Sequence, residues 1–343
     1  MTLTLVSLLL AFAMGFTAFR AGICTVSAVA ELRSSGTARV FLSFLKVILW
    51  VVLVNGLLEF WLGAPARPAR AGGVSVMPML GGFLFGMGAA INGGCSFSTI
   101  SKIAQGNLHM ALTLPAFVLG VVISARLPAM SAGGGSTAPL LDPAIRQLLL
   151  LPLGLWGMWE MAKIVTPNLR GDGLWRGMTA KRYRLSTGAA LVGICSGFLY
   201  AINGRWAYSS RIVDTFVERP GGPVADSAIA IGLIVALLAG AVASAVSNGS
   251  LSFSFAKDMW RRNLIGGFLM GFGAMMVPGG NGALILQDLP SLSVRGALAY
   301  LAMIVGIAVT LALFMRITGG SMAVSCGGDF CTVEKNRPRS TPD

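Results

Sequence analysis

GFLFGMGAAINGGCSFSTI, residues 82–100, decides the architecture, because its pattern returns as GFLMGFGAMMVPGGNGALI, residues 267–285. In both copies a glycine-laced apolar run stops at a double glycine, Gly93-Gly94 and Gly279-Gly280, and a shorter segment follows. From there one constant offset aligns Cys95 with Asn281, Ala111 with Ala297 and Gly120 with Gly306. A second break repeats as well. Gly15-Phe16 and Gly22 match Gly197-Phe198 and Gly204, which aligns Cys24 with Trp206 and Ser27 with Ser209. Self-similarity of this length marks a duplicated fold.

The surrounding chain is suited to lipid. Of 343 residues 55% are hydrophobic and only 11% charged, with a mean hydropathy of +0.76; a soluble domain carries about 25% charged residues. Nine apolar runs begin at Thr2, Val40, Met77, Met110, Leu148, Leu185, Ser227, Leu264 and Val294, most of them near the roughly 20 residues a bilayer requires. The first lacks a basic leader and a cleavage site, so it reads as a retained helix. Four runs meet a Gly or Asn-Gly break and continue as short segments, Ile23–Arg33, Cys95–Ala104, Arg205–Val217 and Asn281–Leu289. Ten helical residues rise only about 15 Å, half a hydrocarbon core. The sequence therefore predicts an all-α polytopic membrane protein with about nine transmembrane helices and four short half-helices at Gly-rich breaks.

Charge fixes the topology. The 26 Lys and Arg exceed the 13 Asp and Glu by 13, but the excess sits in loops between apolar runs and does not suggest nucleic acid. If each broken pair crosses once, one side of the membrane receives 17 of the basic residues and the other six. The positive-inside rule then places the N-terminus outside and the C-terminus in the cytoplasm of a bacterial inner membrane. Five crossings precede the second copy, so it is inverted. The expected division is a first membrane repeat over 1–126, a connecting helix with basic loops over 127–184, an inverted repeat over 185–316 and a cytoplasmic tail over 317–343.

Inverted repeats with discontinuous helices are characteristic of secondary transporters, whose substrate site lies where the breaks converge. The plainer reading is that the glycines let helices pack closely. A short helix start presents free N–H groups and the positive end of a dipole, which suits an anion. Few carboxylates lie at the breaks, which argues against a metal cation, and no cofactor motif is present. The candidate substrate-binding residues are Gly22, Gly93, Gly94, Gly204, Gly279 and Gly280 at the breaks, with Cys24, Cys95, Ser96, Trp206 and Asn281 beside them. Asn92, Ser27, Ser98 and Thr99 would add neutral donors. A protonated thiol at Cys24 or Cys95 is a weak, soft donor, better suited to a polarizable sulfur atom than to sulfate oxygen.

GFTAFRAGICTVS (residues 15–27) and NGGCSFSTI (residues 92–100), with the glycine repeat behind them, resemble the YeeE/YedE sulfur-transporter family over nearly the whole membrane region. The resemblance implies import of thiosulfate, relayed by S–H···S hydrogen bonds along a central path, and a cytosolic sulfur carrier protein as partner. Cys24 and Cys95 match two of the family's pathway cysteines. Asn281 stands where the family pattern has a further cysteine, which leaves the class of small sulfur-containing anions firmer than thiosulfate itself.

Other features are of less promise. Cys195 reads as a packing residue, and the spacing of Cys326 and Cys331 is a weak metal signal without a second pair. Arg20 and Arg205, costly at membrane depth, either mark function or are satisfied by snorkelling or acidic neighbours. Asp214 and Glu31 lie along the short helices, where arginines are near. A membrane sulfurtransferase with a cysteine nucleophile is the rival reading, but the chain's single histidine, His109, falls on a cytoplasmic turn. A transporter of a related sulfur or selenium species is the other.

Overall fold

A computed structural model describes residues 2–62, 76–127, 143–169, 180–204, 206–207, 209–210, 213, 227–257, 259–277, 279–318, 322–327 and 330–335. The apolar runs are helices: α1 (Thr2–Ala21), α3 (Arg39–Leu62), α4 (Val76–Asn92), α7 (Thr113–Ala125), α8 (Pro143–Leu169), α9 (Leu185–Asn203), α10 (Ser227–Ser247), α11 (Trp260–Met276) and α13 (Val294–Thr318). A helix satisfies its backbone internally, as hydrocarbon demands. Between them lie α2 (Thr25–Ser34), α5 (Ser96–Ala104), the single turn α6 (Leu108–Ala111) leading into α7, and α12 (Gly280–Ala283), which runs on as a π-helical turn over Leu284–Asp288. Among the described residues eight helices are long and apolar enough to cross a membrane. They become nine when α11 and the segment Gly280–Asp288, bent by 42°, count as one. The expected all-α polytopic fold is observed.

The breaks stop where the sequence puts glycine at positive φ. Gly22 (61°), Gly93 (76°), Gly204 (73°), Gly279 (95°) and Gly280 (63°) all lie in that half of backbone space, which other residues enter at a cost of roughly 1–2 kcal/mol. α4 and α11 end alike. Gly94 N–H reaches back to Ala89 O at 3.0 Å and Gly279 N–H to Ala274 O at 3.2 Å, the six-to-one bond of a Schellman end.

Other glycines serve packing, as the plainer reading expected. A Cβ at Gly82 would overlap the carbonyl of Ala299, and one at Gly86 that of Met303. In the second copy, a Cβ at Gly267 would crowd the carbonyl of Thr113, and one at Gly271 would overlap that of Phe117. Likewise Gly88 abuts Gly266 and Met270, while Gly273 abuts Gly81 and Phe85. These contacts seat α4 between α11 and α13, and α11 between α4 and α7. The remaining helices form a second cluster in which α1 packs on α9 and α10, and α9 on α3. α8 lies outside against α3, where Lys46 forms an ion pair with Glu160.

The loops around residues 102–109 and 247–259 meet: Ser252 N–H bonds Gln105 O at 2.9 Å and Ser254 N–H bonds Gly106 O at 3.0 Å. Tyr183 N–H bonds Arg20 O, at the first break, at 3.2 Å. Beyond α13 a hairpin of β1 (Met322–Gly327) and β2 (Phe330–Lys335) pairs Cys326 with Cys331 in register. β1 lies against α2. The tail is thus not featureless; Val324, Thr332 and Val333 are β-branched residues suited to a strand.

Candidate functional site

Cys24 and Cys95 are the residues immediately before α2 and α5, both in extended backbone conformation and both buried. The break at Gly22 turns the chain so that Cys24 opens α2; Gly93 does the same for Cys95 and α5. The two thiols are neighbours. Cys24 sulfur lies beside Cys95 and the backbone of Ser27, and Cys95 sulfur beside Cys24 and the backbones of Ser98 and Thr25. Each thiol stands at the N-terminal end of its own short helix, with the backbone of Ser27 or Ser98 beside it. No disulfide joins them; Cys24, Cys95 and Cys195 are free thiols.

The fourth break arrives at the same place. Thr25 Oγ1 donates to Asn281 Oδ1 at 3.2 Å, which leaves Asn281 Nδ2 as a fully buried donor without a hydrogen-bond partner among the described residues. Ser96 Oγ, Trp206 Nε1, Ser210 Oγ and the Tyr300 hydroxyl are buried in the same unpaired condition. Ser209 Oγ donates to Gly279 O, and Gly282 lies beside Ala207 and Phe97, so the third and fourth breaks meet each other and α5. All five unpaired groups can donate a hydrogen bond. Buried polar groups are normally paired; Ser96 follows Cys95 directly, Asn281 is tied to Thr25 beside Cys24, and Ser210 stands at Gly279, so lone donors recur at the breaks, a chemistry suited to negative charge.

A model of the sulphur-transport family matches residues 20–309. The chain belongs to the sulphur-transport family, YeeE/YedE. No curated protein matches it significantly. With eight spanning helices among the described residues, it is a multi-pass membrane protein of a sulfur-transporter family, and the segments carrying Cys24, Cys95 and Asn281 all fall inside the matched region.

Within this family member the remaining candidates divide. Gly22 and Gly93 have open space where a Cβ would stand, so their role is conformational; Gly94, Gly279 and Gly280 are crowded by Ser98, Ser210 and Phe85 respectively. Gly204 caps α9 through a 2.9 Å bond to Tyr200 O. Arg205, Arg211 and Asp214, and most of the short segment expected over Arg205–Val217, lie outside the described residues.

Several side chains do work the sequence did not assign to them. Asn92 is a structural hub: Nδ2 donates to Thr99 Oγ1 at 2.9 Å and Gly94 O at 3.1 Å, while Oδ1 accepts from Thr113 at 2.8 Å and Asn263 at 2.7 Å. Thr99 donates in turn to Cys95 O. Both are thereby engaged in holding α4, α5, α7 and α11 together. Arg20 neither snorkels nor relies on an acid alone. It donates to Ser244 at 3.2 Å, Ser247 at 2.9 Å and Ala180 O at 2.7 Å, and its guanidinium lies over Phe16 and Tyr183. Lys102, read as a loop charge, reaches inward to Gly93 O at 2.6 Å. Tyr300 had no sequence signal beyond being a tyrosine in an apolar helix. Cys195 is a packing residue of the α1–α9 core.

Proposed function

We propose that this protein imports a small sulfur-containing anion, thiosulfate foremost, into the cytoplasm of a bacterial cell across its inner membrane. The observation that carries the reading is the pairing of the Cys24 and Cys95 thiols one residue from Thr25, whose hydroxyl holds the amide oxygen of Asn281 and so brings the fourth break to the first two. A thiosulfate ion offers one polarizable sulfur and three oxygens, and this group of residues offers soft donors for the first and hard donors for the others. Helix N-termini add positive potential without a mobile cation. Gly22, Gly93, Gly94, Gly204, Gly279 and Gly280 would open the path, with Ser96 and Trp206 as further donors along it.

The two halves act in this reading as an inverted repeat. Support comes from equivalent contacts: Gly82 on Ala299 and Gly267 on Thr113, Gly86 on Met303 and Gly271 on Phe117, each pair related by the alignment that matches the breaks. The convergence of basic loops on one face supports a cytoplasmic location for that face. A sulfurtransferase would need a base at the thiols. His109 instead engages the neighbouring loop, its Nδ1 accepting from Ala256 N–H at 3.4 Å and its ring standing edge-on to Phe255.

Sulfur-starved cells without their own thiosulfate uptake provide the test. Expression of this protein should restore growth on thiosulfate, and Cys24→Ala or Cys95→Ala should remove it. Uptake unchanged in both variants would overturn the thiol path. Protein in liposomes that consumes thiosulfate without accumulating it would favour the enzyme. A cytosolic sulfur carrier that binds detergent-purified protein would extend the reading to delivery.

A further inference from the structure

A cavity of about 350 Å3 lies at the first two breaks, lined by Gly22, Ser98 and Lys102 and by Arg20, Lys181 and Arg182. Among the described residues lining it, four are cationic and none is acidic. Lys181 and Arg182 are exposed and Lys102 half-buried, so positive charge is present both at solvent-exposed positions and deeper in the cavity wall. Clefts lined with one sign of charge focus the field and raise the local concentration of the opposite ion.

Lys102 links this cavity to the thiols. Its ammonium holds Gly93 O at the end of α4, acts electrostatically on Cys24 and lines the cavity. An ammonium has three donors on a flexible stem, so it can keep or exchange a neutral carbonyl for an incoming anion without moving a helix. Seryl hydroxyls at Ser27 and Ser98 add hard polar groups to the lining, and no thiol is in it.

We infer that the cavity is a second anion station, distinct from the thiol pair, at which Lys102 receives a small divalent oxyanion and Lys181 and Arg182 exchange it with the aqueous phase. The inference rests on the anion-transport reading. It also adds a division of labour: the thiol station selects on soft sulfur, whereas the cavity, holding only hard donors and cations, takes thiosulfate and sulfate alike.

Equilibrium binding to purified full-length protein in nanodiscs tests this with radiolabelled thiosulfate and unlabelled sulfate as competitor. The wild type should bind two thiosulfate ions, one of them displaced by sulfate. Lys102→Gln should weaken the sulfate-sensitive site about tenfold, the worth of one charge-assisted hydrogen bond. Lys181→Gln/Arg182→Gln, at exposed positions that spare the fold, should weaken the same site and flatten its salt dependence. A single thiosulfate site indifferent to sulfate in the wild type would overturn the inference, as would wild-type binding in the Lys181/Arg182 variant. Should Lys102→Gln not fold, the Lys181/Arg182 variant decides alone. Sulfate-sensitive binding in protein that fails to accumulate thiosulfate in liposomes would sink the importer reading and leave the station standing.

Discussion

In the proposed path Asn281 would divide its amide between structure and substrate. Its oxygen is committed to Thr25 and its nitrogen has no protein partner, so a change of side chain tests chemistry more than folding. Asn281→Ala should lower thiosulfate uptake about tenfold through loss of one hydrogen bond to a charged ligand. Asn281→Asp should stop it, since a carboxylate there repels the anion. Asn281→Cys is the more telling variant. A third soft donor should retain thiosulfate uptake and reduce inhibition by sulfate and sulfite, read by competition with radiolabelled thiosulfate. At Gly22 and Gly93 the outcome depends on backbone alone: a Cβ meets nothing within 4 Å, yet alanine at positive φ costs roughly 1–2 kcal/mol. Gly22→Ala and Gly93→Ala should therefore fold with a modest loss of thermal stability while displacing Cys24 and Cys95 from each other, and uptake should fall more steeply than stability.

Among the elements, the turn from α2 to α3 depends on one buried carboxylate. Glu31 accepts from the N–H groups of Arg39 and Val40, both at 2.9 Å, and from Thr37 Oγ1 at 2.6 Å. It thus caps the exposed start of α3 from the far end of a short helix. Glu31→Ala should cost about 1–3 kcal/mol for the donors left unmet, seen as a lower melting temperature in detergent. The sequence suggested an arginine partner for Glu31; the described hydrogen bonds go to backbone and a hydroxyl. Spans and stops were legible because each depends on local composition: α3 was expected from Val40 to Leu62 and runs Arg39–Leu62, and α9 was expected from Leu185 and starts there. The Glu31 cap, the Asn92 hub and the Arg20 clamp were not, because each joins groups that only tertiary packing brings together. Arg20 and Ser244 stand 224 residues apart. Among the candidate residues, Cys24, Cys95 and Asn281 could be picked out from repeat alignment and helix-start chemistry. Lys102 could not, since a charge near a loop reads as topology.

For the molecule as a whole, the loops at residues 35–37, 105–109, 180–184 and 250–257 should face one compartment. In a background with Cys326 and Cys331 replaced by serine, single cysteines at Ser35, Lys181 and Phe253 should react with a membrane-impermeant maleimide only after the cytoplasmic face is opened. Labelling of any one from outside intact cells would break the topology. The pairing of halves has its own measurement. Gly86→Ala and Gly271→Ala press a Cβ onto the carbonyls of Met303 and Phe117, and overpacking of this kind costs about 1–3 kcal/mol. Equivalent seams should lose similar stability, and one tolerant glycine beside one intolerant one would argue against two-fold equivalence.

Those seams also bear on the proposed passage of an anion. Where backbone rests on backbone there is no layer of side chains to act as bearing or lubricant, and helices joined in this way move as one block. α4, α7, α11 and α13 are clamped by such contacts along much of their length, and α1 and α10 by others as close at Gly15 and Gly240, so a rocking of one half past the other would have to tear close backbone joints. In the proposed path the compliance would lie elsewhere, in the break residues and in a lysine on a jointed stem. Passage would then proceed by small local displacements in a stiff frame, with a weak dependence of rate on membrane thickness and lipid order.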